Sequence, residues 1–200
     1  INLSMTVGST QQAMTSTTVM SSSGGMVTFS LNTTGSGSAT ISATGFITAT
    51  GAGTVTLTAM AAGDSNYYSA ITSTLITITA GSQIVTINNI PAGGFNTIVD
   101  QSIAIRATNS IVSGGGTITY SVASAAGGGS ATINASTGQL TATGAGAITF
   151  TATAAANANY NQASSSTLVI IGKSTPTLSF SNINLSMTVG STQQAMTSTT

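Results

Sequence analysis

Cysteine, histidine, tryptophan and glutamate are absent from this 200-residue chain, and proline occurs only twice. The lack of cysteine excludes a disulfide framework. Zinc sites and thiol nucleophiles draw on cysteine, histidine or glutamate, and a histidine-based catalytic triad needs histidine. We therefore predict that the protein is not an enzyme and that it holds no metal and no other cofactor.

Charge is almost absent as well, because charged residues make up 2% of the chain against about 25% in ordinary soluble domains. The charged side chains are Arg106, Lys173, Asp64 and Asp100. Two scattered cations cannot provide the basic cluster that nucleic acid or an anionic membrane surface requires. So little self-repulsion favours association with copies of the same chain, and these copies are the partners we predict.

The two aspartates are the remaining candidates for a metal site. Calcium needs a cluster of oxygen ligands, whereas Asp64 and Asp100 lie in different parts of the sequence. Asp64 stands in the segment AGDSNY, and Asn157 occupies the matching position in a later, similar segment. A turn-capping role therefore explains Asp64 better than a ligand role. Asp100 is likewise predicted to lie in a turn.

Long apolar runs are also missing. A membrane-spanning helix needs roughly 18 consecutive apolar residues, whereas the longest apolar strand segment covers residues 168–171. We predict a core strand for that segment and no membrane span in this window.

What the sequence does contain is a repeat. Residues 1–18 (INLSMTVGSTQQAMTSTT) recur unchanged at 183–200, an offset of 183 − 1 = 182 residues. A degenerate copy lies inside this period, because SATISATGFITATGAGTVTLTA from Ser38 is echoed by SATINASTGQLTATGAGAITFTA from Ser130. The repeating module therefore has about 91 residues, and a period on that scale is typical of a linear array of similar modules.

Alternating polar and apolar residues, punctuated by glycine or asparagine, predict short strands throughout each module. In the complete second copy the predicted strands are 84–87, 102–107, 117–122, 131–133, 139–142, 147–153 and 167–171. Seven short strands in about 90 residues are the number expected for an immunoglobulin-like sandwich. Gly45 and Gly138 fall at equivalent tight turns, where a residue with positive φ is needed.

Comparison of the two copies predicts which side chains face inward. Three pairs of alternating positions stay apolar in both copies: Phe29 and Leu31 with Tyr120 and Val122, Val55 and Leu57 with Ile148 and Phe150, and Ile76 and Ile78 with Val169 and Ile171. Leu75 and Leu168 have the opposite parity, so their side is left open. Tyr67 and Tyr160 match within a loop, and each is predicted to pin that loop to the edge of the sandwich.

The closing half of each copy carries a family resemblance. The segments TATGAGTVTLTAMAAGDSNYYSA and TATGAGAITFTATAAANANYNQA resemble the end of bacterial immunoglobulin-like (Big-type) repeats of large surface proteins and adhesins. The segments GGMVTFSL and GGTITYSV, and the opening strands TLSFSNI and IVTINNI, are placed as in that family. The resemblance covers essentially the whole chain and implies a bacterial protein at the cell surface or outside the cell.

The predicted fold class is all-β, with tandem immunoglobulin-like β-sandwich modules of about 91 residues in a linear array. We place the first module, which lacks the start of its first strand, at 1–81, the second at 82–173, and the start of the next copy at 174–200.

This architecture predicts a structural repeat of a long extracellular fibre or filament. The alternative is a spacer or stalk region of a bacterial cell-surface adhesin, and the two differ in whether modules associate sideways. An ice-binding module fits less well, because its threonine rungs would have to stack at one strand spacing. A ligand-binding module would need a concave aromatic or charged site, which the sequence does not indicate.

Methionine is distributed unevenly between the copies. All seven methionines lie in the first type of module or its restart, and none lies between residues 90 and 182. Alignment places Met26 against Thr117, and Met60 against Thr153, at outward positions of neighbouring strands. Exposed methionines form an apolar, adaptable patch, so we predict a lateral interface at Met26 and Met60. The alternative is that both are ordinary surface residues.

Overall fold

The computed structural model describes residues 3–12, 26–42, 45–89, 95–177 and 188–190, and the regular structure in them is β-strand. The strands form two sets of sheets, which we call the first and the second unit. The first unit contains β1 (Leu3–Thr6), β2 (Thr10–Gln12), β3 (Val27–Asn32), β4 (Ser38–Ile41), β5 (Phe46–Gly51), β6 (Gly53–Ala61) and β7 (Ala70–Thr79). The second unit contains β8 (Val85–Asn88), β9 (Phe95–Ile98), β10 (Ser102–Ala104), β11 (Arg106–Asn109), β12 (Ile118–Ser124), β13 (Ser130–Ile133), β14 (Gln139–Gly144), β15 (Gly146–Ala154) and β16 (Ala163–Gly172).

The first unit combines a four-stranded and a three-stranded sheet. The larger sheet has the order β1-β7-β6-β3, in which β1 runs parallel to β7 and the other pairs are antiparallel. The smaller sheet has the order β2-β5-β4. The chain passes from β1 in one sheet to β2 in the other through a turn at residues 7–9, where Gly8 has a φ of 86°.

The second unit repeats this arrangement. Its four-stranded sheet has the order β12-β15-β16-β9, again with one parallel pair, β16 with β9. Its other side is formed by β10-β14-β13 and by β11, which continues β10 after Ile105 and pairs with β8. This order of strands is that of an immunoglobulin-like sandwich and confirms the predicted all-β, immunoglobulin-like fold.

Each unit encloses a separate core, because alternate side chains of both sheets point inward. The largest fully buried side chains of the second core are Ile105, Leu140, Ile148, Phe150 and Val169. Those of the first core are Ile47, Val55, Leu57 and Ile76. All the inward positions predicted from the sequence are confirmed, although the pairs on β3 and β12 are only half-buried against their cores.

Tyr120 shows how a polar aromatic side chain is accommodated at the border of the second core. Its ring centroid lies 5.7 Å from that of Phe150. Its hydroxyl accepts a hydrogen bond of 3.1 Å from the backbone N–H of Ala107. The polar tip is thereby satisfied while the ring packs on the core, which is the arrangement that buried tyrosine requires.

All seven strands predicted in the second copy are present, with shifted ends. The segment predicted as one strand at 102–107 is interrupted at Ile105, which is buried between β10 and β11. β9 was not predicted from the sequence. Its four residues, FNTI, show no regular alternation, and the strand pairs in parallel with β16. Gly45 and Gly138 have φ values of 82° and 71°, which confirms the predicted tight turns.

The two units meet between Thr79, the last residue of β7, and Val85, the first residue of β8. The module boundaries at 1–81, 82–173 and 174–200, and the linear array, stay predictions. The repeated segment 183–200 lies outside the described residues except for residues 188–190.

Candidate interaction surfaces

The outer face of the sheet formed by β3, β6 and β7 carries exposed apolar side chains. Met26 is 80% exposed immediately before β3, and Met60 is 46% exposed on β6. Thr28, two residues after Met26, is the cross-strand partner of Met60. The two methionines therefore occupy the same outward parity on neighbouring strands, while their role as an interface stays a prediction.

Two further side chains extend this cluster. Ile71 on β7 is the cross-strand partner of Met60 and is 71% exposed. Leu75 lies on the same parity of β7 and is also exposed, which settles the side that the sequence left open. We call Met26, Met60, Ile71 and Leu75 the methionine face. Ile71 was not among the surface residues predicted from the sequence, although alignment of β7 with β16 places Ser164 at the equivalent position of the second unit.

The equivalent face of the second unit is more polar. Thr117 and Thr153 replace the two methionines, and Ser164 is the cross-strand partner of Thr153. Leu168 and Ile170 are exposed on β16, towards the other end of the sheet. The two units therefore share a fold but present different outer faces.

The methionine face bears no formal charge. Its neighbours at the outward positions of β6 and β7 are hydroxyl side chains, Thr54, Thr56, Thr58, Ser73 and Thr77. The charged residues lie elsewhere: Asp64 follows β6, Asp100 follows β9, Arg106 begins β11 and Lys173 follows β16. A second apolar surface can therefore cover this face without desolvating a charge, which would be the costly step.

A second surface lies where the two units touch. The loop between β15 and β16 contacts the connection that follows β7. The backbone N–H of Gly81 donates to the carbonyl of Asn159 at 2.8 Å, and the N–H of Asn161 donates to the carbonyl of Gly81 at 2.9 Å. In addition, Asn159 Oδ1 accepts a hydrogen bond of 3.0 Å from the N–H of Ala52, in the turn between β5 and β6. Asn161 Nδ2 also donates to the carbonyl oxygen of Ala80 at 3.5 Å. Four hydrogen bonds thus hold residues 159–161 against the first unit.

Tyr160 adds apolar contact to this junction. Its ring packs against the core of the first unit and not against its own sandwich edge. A Cβ added to Gly81 would lie 3.3 Å from that ring and 2.9 Å from the carbonyl oxygen of Val7, so the close approach needs glycine. The predicted role of Tyr160 was therefore wrong, because the loop projects beyond its own unit towards the connection. Its counterpart Tyr67 is 52% exposed.

Gln83 fixes the base of the same loop. Its side chain is only 5% exposed, and both ends of its amide are satisfied. Nε2 donates to the carbonyl oxygens of Ala155, at 2.9 Å, and Asn161, at 2.7 Å. Oε1 accepts from Asn109 Nδ2 at 2.6 Å and from the N–H of Gly116 at 2.9 Å. One residue of the connection thus ties together two loops of the second unit.

We call the loop between β15 and β16 the junction loop. Its counterpart in the first unit, between β6 and β7, has the same internal turn. Asp64 Oδ1 accepts hydrogen bonds from the backbone N–H groups two and three residues later, at 2.7 and 2.8 Å. Asn157 Oδ1 does the same at 2.9 Å for both bonds. These contacts confirm the predicted turn-capping role of Asp64. Asp100 lies in a turn as predicted, with a φ of 70°.

Within the described ranges, no three His, Cys, Asp or Glu side chains come together in a way that could hold a metal ion. The same residues form no helix that is long and apolar enough to cross a membrane.

No protein-family model and no curated protein matches the sequence. Among solved structures, the chain is similar to a SusE-like, surface-located polysaccharide-binding protein of the Bacteroides thetaiotaomicron heparin utilisation locus. The identity is 17% over 72% of this chain and 29% of that one, with a TM-score of 0.33. A C-terminal fragment of intimin, in complex with the intimin-binding domain of its translocated receptor, gives 18% identity over 76% of this chain and 55% of that one, with a TM-score of 0.32.

The extracellular cadherin domains 1–4 of protocadherin gamma B7 give 11% identity over 87% of this chain and 49% of that one, with a TM-score of 0.34. This chain thus spans between 29% and 55% of the length of the three proteins. Membership of the Big-type family stays a prediction.

Proposed function

We propose that this chain is a structural repeat of a long extracellular fibre, built from immunoglobulin-like modules that associate both end to end and side by side. The 182-residue period of the sequence (183 − 1 = 182) supports the end-to-end arrangement. The methionine face supports the lateral one. In this proposal the partners are copies of the same chain, and no catalysis takes place.

The observation that carries the proposal is the methionine face. Its apolar side chains lie on one side of adjacent strands, with hydroxyl groups and no charge around them. Burial of the two methionine side chains would contribute about 3 to 5 kcal/mol per contact before ordering costs. Repetition of the contact along two chains multiplies its effect, so a modest interface is sufficient for a fibre.

The test replaces Met26 and Met60 together with threonine, the residue that the second unit has at both equivalent positions. Assembly of the 200-residue chain is followed by sedimentation velocity over a range of concentrations and by electron microscopy. We expect the double variant to associate at least about tenfold more weakly, since loss of even 1.4 kcal/mol has that effect.

Val112→Thr is the matched control. Val112 is 99% exposed in the turn between β11 and β12, outside the methionine face. The control is expected to assemble like the parent. If the Met26→Thr, Met60→Thr variant also assembles like the parent, or if the parent stays monomeric throughout, the lateral contact is refuted.

A spacer or stalk of a cell-surface adhesin is the second candidate. The junction at Gly81 favours it, because four hydrogen bonds and the Tyr160 ring restrict bending between two units of a single chain. Stiffness of this kind serves a stalk without any lateral contact. A parent chain that remains monomeric and extended in solution would therefore select this second function.

A further inference from the structure

We propose that residues 64–68 of the first unit form a second junction loop, which docks onto the exposed end of a second unit belonging to another copy of this repeat. The inference deepens the proposed function and rests on its end-to-end arrangement. It names the surfaces that make that contact, which are distinct from the methionine face.

The loop of the first unit has the same turn as the loop between β15 and β16, which contacts the first unit. Asn66 and Tyr67 occupy the positions of Asn159 and Tyr160, and the Asx turn of Asp64 holds them as the Asn157 turn holds their counterparts. The difference lies in their surroundings. Tyr160 packs on the neighbouring unit, whereas Tyr67 is half in solvent at a position that its own sandwich does not cover.

The surface that receives the loop is also present twice. Asn159 binds the N–H of Ala52, which lies between Gly51 and Gly53. The second unit has the same tripeptide at residues 144–146. The backbone agrees as well, with a φ of 133° at Gly53 and 134° at Gly146. Ala145 therefore presents the equivalent N–H donor to Asn66 Oδ1.

The connection after the second unit differs in sequence from the connection between the first and second units. Continuing the alignment of Ile78 with Ile171, Ser174 stands where the first connection has Gly81. A Cβ at Gly81 would lie 2.9 Å from the Val7 carbonyl oxygen, so a serine there requires the backbone of the connection to shift. We therefore expect the second junction to keep the asparagine and tyrosine contacts with a slightly displaced connection.

A contact between different surfaces at the two ends of a unit is heterologous, and such contacts form an open fibre when the rotation between successive units does not close a ring. Each second unit offers the receiving surface, and each first unit offers the loop. The partner of residues 64–68 is therefore the end of a second unit, at Ala145, and not a further ligand.

The test uses two copies of residues 1–182 joined in series, at a concentration too low for lateral association. Amide hydrogen exchange is measured at Ala145 in this doubled chain and in the 200-residue chain. In the doubled chain, the Ala145 amide of the internal junction should exchange about tenfold more slowly, as expected for an amide newly held by a hydrogen bond and a covering ring. The other Ala145 should keep the rate of the 200-residue chain.

Two substitutions in the doubled chain identify the contact. Tyr67→Asn should abolish the slow Ala145 exchange. Val112→Thr is the control, because Val112 is 99% exposed in the turn between β11 and β12 and lies outside both residues 64–68 and residues 144–146. It should leave the exchange slow. In every variant, slow exchange of the Ala52 amide shows that the contact between Ala52 and Asn159 is intact.

Two results would overturn the inference. One is a doubled chain in which both Ala145 amides exchange at the rate of the 200-residue chain. The other is slow exchange that persists in Tyr67→Asn, since a different contact would then protect Ala145. Neither result bears on lateral assembly, which the methionine variants test separately, so failure of the junction and failure of the fibre are distinguishable.

Discussion

Replacement of Gln83 by leucine should destabilise the second unit by about 3 kcal/mol. The side chain is almost fully buried and makes four hydrogen bonds of 2.6 to 2.9 Å. Leucine fills a similar volume but satisfies none of the four partners. Each net hydrogen bond contributes about 0.5 to 1.5 kcal/mol. Four such bonds give about 2 to 6 kcal/mol, and the estimate lies in the lower half of this range because relaxation of the loop lets water reach some of the freed groups.

Hydrogen exchange combined with urea unfolding measures this effect, because it separates the two cores. Amides of β15 and β16 report on the second unit, and amides of β6 and β7 report on the first. We expect Gln83→Leu to lower only the stability of the second unit. Gln101→Leu is the matched control, since Gln101 is exposed and its substitution should stay within about 0.5 kcal/mol.

The substitution Gln83→Glu adds a dependence on pH. The introduced carboxyl would face the carbonyl oxygens of Ala155 and Asn161, which now accept from Nε2. Burial and these acceptors disfavour the charged form, so the pKa of the carboxyl rises above its value of about 4.3 in the unfolded chain. The variant is then most stable below that unfolded pKa, and stability is lost as pH rises through the higher folded pKa.

A flat result would refute this account of the connection. If Gln83→Leu unfolds like the parent, the four hydrogen bonds contribute no net stability and the loops of the second unit are held by other contacts. If Gln83→Glu shows the same stability at pH 3.5 and pH 7, the side chain lies in water and the described burial is wrong.

Further predictions concern the cores and the turns. Phe150→Ala should destabilise the second unit by about 3 to 5 kcal/mol, because the ring is fully buried; urea unfolding at the level of the parent would contradict the inward position of Phe150. Gly138→Ala should be clearly more destabilising than Gly114→Ala. Both glycines have positive φ, but an added Cβ would overlap the carbonyl oxygen of Ile105 at Gly138 and meet nothing within 4 Å at Gly114. Strain alone costs about 1 to 2 kcal/mol, so equal melting temperatures for the two variants would contradict the close approach at Gly138.

Alternation predicted the strands of the second unit except β9, and the inward side chains of β12, β15 and β16 and of the matching strands β3, β6 and β7. Val55 and Leu57 match Ile148 and Phe150 in the second copy, and polar residues separate them in both. A period of two on a half-buried sheet leaves one choice of inward side. The comparison of two degenerate copies strengthened this inference, because the inward positions stay apolar in both copies whereas an outward position such as Met60 is threonine in the second copy.

The junction could not be predicted in the same way. Gln83 and Asn159 are polar residues in irregular segments, and nothing in their spacing indicates that one is buried or that the other binds Ala52. Contacts of this kind depend on the relative placement of two units, which no local pattern encodes. The identity of Asn66 and Tyr67 with Asn159 and Tyr160 was visible, but without a docked copy it suggested only a shared turn.

The two proposed contacts would act in different directions, one along a chain and the other between neighbouring chains. The loop at 64–68 and the receiving turn at 144–146 would join units along one chain. The methionine face would join neighbouring chains, and it occurs in only one of the two kinds of unit. Lateral contacts would therefore recur once per 182-residue period (183 − 1 = 182) and not once per module.

Since charged residues make up only 2% of the chain, complementary charges cannot fix the stagger between chains. The alternation of the methionine face with the more polar face of the second unit would supply that register instead, because a shift by one module would place methionine side chains against hydroxyl groups and lose part of the burial.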